Sequence, residues 1–384
     1  MSKHPAKLSY WLRIVVFHFF FPSLLLAQHA PGYKPHPAVK ALGKLVKSSQ
    51  YEAAEMRAIA LADSFKTASD YVNYIDALMQ LGNSFMHRNM HDKWGEVTAK
   101  TVREAETYLP PKDDALGHAH NRRGYYLLYV EHALDSAKYH VDHALSILRN
   151  SNRYNPWGNT YLSFAKYYFE RRMLDKMEIM LDSVRYVKDT FIPDNPNLRD
   201  QLFFWDGQLY DSRGDFDKAI ETRLDRIASI TGKEKLTKRD SVVLAGSFHN
   251  VASLFSKKGD IRKSVDYLQK GVSILLHLKV PQARSFLVRH YIGLALTHRQ
   301  LHDDENALRY FQLATDMRTE PRSARAARTM TSLYNNLSNF YAQNTDEYEK
   351  AIAYAQQSIE LETEWNIPSY RSYSAMGSAL RAAG

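Results

Sequence analysis

The sequence predicts an all-α protein, an α-α superhelical solenoid of about eight helical hairpins, and three observations predict it. One apolar pattern recurs in phase along most of the 384 residues. Prolines, with two glycines, mark the joints between the copies. Alternating runs of Val, Ile and Thr, the mark of strands, are scarce in a chain dominated by Ala, Leu, Lys, Arg and Glu.

The first element is not part of the array. Lys3, Lys7 and Arg13 precede an apolar stretch from Ile14 to Ala27, interrupted by His18, Pro22 and Ser23. That stretch falls short of the roughly 20 apolar residues that span a bilayer comfortably. With the small Ala27 or Ala30 beyond it, it reads as a cleaved secretory signal. Residues 1–27 are therefore expected to be a signal peptide and 28–36 a linker, with the mature chain periplasmic or secreted. An uncleaved anchor is the other reading, weakened by Pro22 and the short core. No second stretch is long enough to cross a membrane, so the mature chain is expected to have no span.

Composition narrows the chemistry. With 51 basic and 42 acidic residues the net charge is +9, and removing the signal's three basic residues leaves about +6. Spread over this length, the excess favours acidic partners mildly and falls short of a nucleic-acid footprint. The absence of cysteine excludes disulfides, a thiol nucleophile, a lipidation cysteine and cysteine-based zinc sites. Stability must then come from helix packing.

The repeats follow in order. A degenerate helix pair lies around Leu42 to Phe65. The next copy carries Leu81, Gly82, Phe85 and a non-matching Trp94, and the one after it Gly124 and Ala137. Stronger copies open with an aromatic at Tyr161, Phe203, Phe248, Tyr291 and Tyr334. In four of these an apolar residue comes three positions later (Phe164, Val251, Leu294, Leu337), a small one next (Ala165, Ala252, Ala295, Ser338), then a ring (Tyr168, Phe255, His298, Tyr341). The Phe203 copy reads Gly207, Tyr210 and Ala219 at the same offsets.

A second helix begins beyond each ring. Its inward residue is Met177, Ala219, Ser264, Ala307 or Ala351, followed by bulk at Leu181, Leu268 and Phe311. Spacings of three and four put these residues on one stripe of each helix. Gly214 and Gly259 stand where a left-handed residue would end the first helix. Pro110, Pro111, Pro156, Pro193, Pro196, Pro281, Pro321 and Pro368 fall at the other joints. The array is expected over 37–369, and 370–384 reads as an incomplete final repeat, the first helix of another pair.

This pattern resembles the tetratricopeptide repeat family, whose motif runs aromatic, Leu-Gly, Tyr, Ala, aromatic, Ala, Pro. The opening aromatics are 42, 45, 43 and 43 residues apart, more than the usual ~34. The chain is thus similar to the longer-helix variety of the kinesin light chains, especially in the run LYNNLSNFY from Leu333 to Tyr341. The resemblance covers nearly all of the array and implies a superhelix with a concave groove lined by the first helices.

In that family the residues one, two and five after the opening aromatic point into the groove. By position the resemblance implies Lys166, Gln208, His249, Asn250, Asn335, Asn336 and Asn339 there, with Arg289 and Arg299 beside them. Asparagine amides can grip a peptide backbone, and nearby cations take acidic groups. Separately, Arg322, Arg325 and Arg328 recur every three residues, a face suited to acidic or phosphorylated groups and equally to solvent.

Catalytic signatures are missing: the sequence holds no Gly-rich phosphate loop, nucleophile elbow or paired-acid motif. His87 and His91, and His140 and His143, have helical spacing but read as turn and surface histidines, so no metal and no cofactor is expected. The many tyrosines, at helical spacing, read as repeat core rather than as stacking platforms for bases. The expectation is an exported, non-catalytic scaffold that binds a protein or peptide, acidic in part. The alternative is a truncated extracytoplasmic sensor region, since exported arrays of this length resemble those of membrane-bound histidine kinases and transcription regulators.

Overall fold

A computed structural model describes residues 33–384 except 49, 89, 280, 319–320, 322–323, 366 and 368–369, together with the side chains of 281, 282, 324 and 325. The signal-like segment and most of the linker lie outside the described residues. So does Arg322, and of Arg325 only the backbone is described.

The described chain forms α-helices and one short π-helical turn. Helices α1 (Pro37–Lys47) and α2 (Tyr51–Thr67) open the array. Seven antiparallel hairpins follow. The first three are α3 (Tyr71–His87) with α4 (His91–Tyr108), α5 (Asp114–Tyr126) with α6 (Leu134–Leu148), and α7 (Tyr154–Glu170) with α8 (Leu174–Phe191). The π turn Leu127–Glu131 extends α5. Then come α9 (Pro196–Ser212) with α10 (Phe216–Thr231), and α11 (Lys238–Lys257) with α12 (Ile261–Leu276). The last two are α13 (Pro281–Gln300) with α14 (Asp304–Asp316), and α15 (Ala324–Asn344) with α16 (Tyr348–Glu364). Helix α17 (Tyr370–Ala383) packs on both α15 and α16, as the first helix of a further pair would. Counting α1 with α2, the expected eight hairpins are present.

The repeat positions do what their size dictates. Ala165, Ala252, Ala295 and Ser338 are fully buried, and so are their facing partners Met177, Ser264, Ala307 and Ala351. Small side chains at these crossings let paired helices approach closely, and the larger Leu181, Leu268 and Phe311 fill the adjoining space. Trp94, which breaks the pattern, is also buried and lies over Gly82.

The turn inside four of the pairs takes one form. Gly214 and Gly259 are left-handed, with φ of 76° and 84°. Arg172 and His302 hold the same position with φ of 56° and 58° despite their side chains. In every case the next amide reaches back to the ring residue's carbonyl: Met173 to Tyr168, Asp215 to Tyr210, Asp260 to Phe255 and Asp303 to His298. Asp215, Asp260 and Asp303 then cap the second helix, accepting from the amides of Lys218, Lys263 and Asn306.

A buried clasp ties two hairpins and the segment before α1 together at the amino-terminal end. Arg153, just before α7, donates from Nη1 to Oδ1 and Oδ2 of Asp76 in α3 at 2.9 and 3.3 Å, both side chains being almost wholly buried. Tyr33 closes the clasp, donating its hydroxyl to Asp76 and placing its ring 3.6 Å from the Arg153 guanidinium carbon.

Two outcomes follow from these features. Asp76→Asn or Arg153→Met strands one buried charge and should cost about 3–5 kcal/mol, read as a lower urea midpoint. Arg172→Gly and His302→Gly should each stabilise by about 1 kcal/mol, since a left-handed residue with a side chain is strained by that order; unchanged midpoints would remove that account of the turn.

Candidate ligand groove

The first helices of successive hairpins line one face, and their side chains can be placed residue by residue. Helices α11, α13 and α15, with α12 behind them, enclose an open cavity of about 460 Å³. Its walls carry Arg289 and Arg328, its floor is Leu268, Ile292 and Leu296, and Ser253, Ser256, Thr329 and Ser332 ring it with hydroxyls. None of its described lining residues is acidic.

His249 also lines this cavity and is neutral. Burial holds its pKa well below the ordinary value, and the Arg289 guanidinium and His290 add to the effect. Its Nδ1 and the Ser264 hydroxyl are buried at the cavity without a hydrogen-bond partner. Two arginines, a neutral imidazole and idle hydroxyl and ring-nitrogen groups form a surface that can receive oxygen acceptors.

The groove bends far enough to bring distant hairpins together. Burial, with help from the Arg239 guanidinium of α11 and Arg122 of α5, lowers His87 from 6.5 to about 4. Burial likewise lowers His132, after the π turn, with Arg328 of α15 and Lys166 of α7 contributing. Arg239 and Arg122 thus lie near His87, and Arg328, Lys166 and Glu170 near His132, so side chains of distant hairpins approach one another.

The expected groove residues divide into three groups. His249 and Arg289 line the cavity, and Arg328 of the expected acidic-partner patch joins them there. Asn250, Asn336 and Asn339 are half-buried on the same helices, with the Asn336 amide donating to the Ser332 carbonyl at 2.7 Å. Arg299 donates along the groove to Oε1 of Gln343 at 2.8 Å, over the Phe340 ring. Lys166 is held by Glu170 and lies 5.4 Å from the Tyr129 ring, and Gln208 accepts from Arg223.

Asn335 corrects the expectation. It is buried, and its amide donates to Ser372 of α17 at 2.9 Å, so it joins neighbouring helices instead of facing a ligand. His140 and His143 are likewise not plain surface residues. Both pack on the fully buried His120, whose Nδ1 lies 2.9 Å from Nδ1 of His140. Burial lowers His120 to about 3 and His140 to about 4. Among the described residues no group of three or more His, Cys, Asp or Glu is arranged to hold a metal ion. No described helix is long and apolar enough to cross a membrane.

Comparison with known proteins agrees with this geometry. The tetratricopeptide repeat profile matches residues 331–364. A search of curated proteins finds no match. Among solved structures, the chain is similar to a signal-transduction ATPase with a tetratricopeptide repeat sensor from Pyrococcus horikoshii, at 14% identity and a TM-score of 0.56. That likeness covers 87% of this chain and 51% of the other, so the chain spans about half the length of that protein. The quorum sensor NprR of B. thuringiensis in its apo form is similar at 14% identity and a TM-score of 0.61, covering 84% of this chain and 86% of its own. Human IFIT1, in a dimer with m7Gppp-AAAA, is similar at 15% identity and a TM-score of 0.56, covering 98% and 77%. At such identities the likeness is one of fold: the chain is a tetratricopeptide-type helical solenoid.

The depressed histidines set a pH dependence. His87, His120 and His140 stay neutral in the folded chain down to about 4, 3 and 4, but protonate near 6.5 when unfolded. The unfolded chain then binds more protons below that value, so stability is full above about pH 6.5 and is lost as pH falls towards 4. Thermal midpoints should be level above pH 7 and drop steadily between 6.5 and 4; a flat profile across that range would contradict the buried, neutral placement.

Proposed function

We propose that this chain is an exported, non-catalytic scaffold that holds an acidic peptide along its concave groove. The observation that carries the reading is the cavity spanning α11, α13 and α15, with Arg289 and Arg328 on its walls and no carboxylate among its described lining residues. An extended peptide offers backbone carbonyls to the hydroxyls and carboxylates to the guanidiniums, whereas the apolar floor accepts a side chain. NprR, similar in fold, has been solved in complex with its cognate peptide NprX. Export rests on the basic and apolar pattern of residues 3–27.

A second reading has its own support. Two of the similar folds belong to proteins described as sensors, the Pyrococcus ATPase and NprR. The groove would then be the input site of an extracytoplasmic sensor, and the same ligand chemistry would apply.

The test is selection of a random decapeptide library on the full chain. Recovered peptides should be enriched in Asp and Glu, and Arg289→Ala or Arg328→Ala should each weaken the best of them at least ten-fold, the loss expected for a charged hydrogen bond of about 1.5–3 kcal/mol. Recovery of peptides without acidic enrichment, or affinity indifferent to both arginines, would sink the reading. Fusing residues 1–32 to an enzyme active only outside the cytoplasm tests export: a silent fusion counts against it.

A further inference from the structure

Arg223 stands where the repeat places an apolar core residue. Twenty positions after the opening aromatic the other hairpins carry Leu181, Leu268 and Phe311, and Arg223 is buried as they are. Its side chain runs against Gly207, where a Cβ would stand 2.6 Å from Nε, so a larger residue there would force the arginine to move. The guanidinium carbon lies 4.9 Å from the Phe204 ring centroid.

Among the described residues no carboxylate is bonded to this charge. Nη2 donates to Oε1 of Gln208, while Nε and Nη1 have no acceptor. Asp211, which offsets the charge in part, is itself held by Lys257 Nζ at 2.6 and 2.8 Å. A cation buried with one amide oxygen for company is unfavourable, and a leucine here would carry no such penalty. The position of Gln208 supplies a use for it. Gln208 lies five residues after Phe203, in register with Ser253 and Leu296, which line the cavity on the next two hairpins. Arg223 thus reaches from a second helix, past Gly207, to the groove floor behind Gln208.

We propose that Gln208 and Arg223 form a carboxylate subsite of the groove, where an acidic side chain of a bound peptide displaces the Gln208 amide from the guanidinium. The amide oxygen occupies one donor. A carboxylate in its place accepts from Nη2 together with Nε or Nη1, so a donor left idle in the free chain is satisfied and the buried charge is neutralised. The exchange moves only side chains, and no covalent bond changes. The subsite rests on the peptide-groove reading and extends it one hairpin towards the amino terminus.

Two variants and one separating control test it. Arg223→Leu restores the residue type of the other hairpins, and Gln208→Glu supplies an internal carboxylate; both should raise the thermal midpoint of the full chain. The probe is acetyl-hexaglutamate amide, titrated by calorimetry, with inorganic phosphate at matched ionic strength as the second ligand. Wild type should bind the peptide at least ten-fold more tightly than either variant, and more tightly than it binds phosphate. Equal peptide affinity in wild type and Arg223→Leu, or a lower midpoint in Arg223→Leu, overturns the subsite and makes the arginine a structural group. Phosphate bound as tightly as peptide and lost in Arg223→Leu overturns the peptide assignment in favour of a free-anion site. Peptide binding lost in Arg289→Ala but kept in Arg223→Leu leaves the groove standing and rejects the subsite. Absence of binding to every form rejects both.

Discussion

The close approach of two helices within each hairpin governs the rest of the molecule. Where Ala252 meets Ser264, or Ala295 meets Ala307, neither side chain holds the backbones apart, and both positions are fully buried. The helices then leave their larger residues to fill the seams between neighbouring hairpins, where Leu268, Phe311 and Leu337 lie. Since each pair presents the same wedge to the next, the stack curves in one sense and the first helices converge on the concave side. The groove is a consequence of this packing, and its lining is whatever the first helices carry on the face the packing leaves open.

Charge inside this scaffold is treated in two ways. Arg153 is buried with a carboxylate and a stacked tyrosine, and its guanidinium serves the fold. Arg223 is buried with a glutamine, and two of its three nitrogens lack an acceptor. Paired and unpaired burial have opposite energetics, since a satisfied ion pair roughly offsets its desolvation and a stranded charge does not. The contrast separates an arginine that holds the structure from one that awaits something.

Most of the fold was legible because it repeats. Helix phase, the small crossing residues and the left-handed turns at Gly214 and Gly259 could all be read from spacing. The same turns at Arg172 and His302 could not, because neither residue type marks a left-handed position. His249 and Arg289, expected in the groove, and Arg328, expected on a separate face, line one cavity. Asn335 faces α17 because the position one after the opening aromatic packs towards the next hairpin, as the burial of Leu162 and Ile292 at the equivalent positions shows. Contacts over long separations, such as Asp76 with Arg153 or the field of Arg239 at His87, depend on the summed curvature of many hairpins, which no local spacing encodes. Arg223 did leave a signal: it is the one charged residue among Leu181, Arg223, Leu268 and Phe311 at equivalent positions of the array.

The Asp76–Arg153 clasp has a mechanical consequence. A solenoid whose units touch only their neighbours should come apart under tension one hairpin at a time, like a zip drawn from its end. The clasp skips a unit, joining α3 to the start of α7 over the intervening α5–α6 pair, with Tyr33 upstream of all of them locked into the same knot. Stretched from its ends, the array should therefore yield small, even steps from the carboxyl-terminal side. The amino-terminal hairpins would hold as one block and release together, giving the molecule a stiff end and a compliant one.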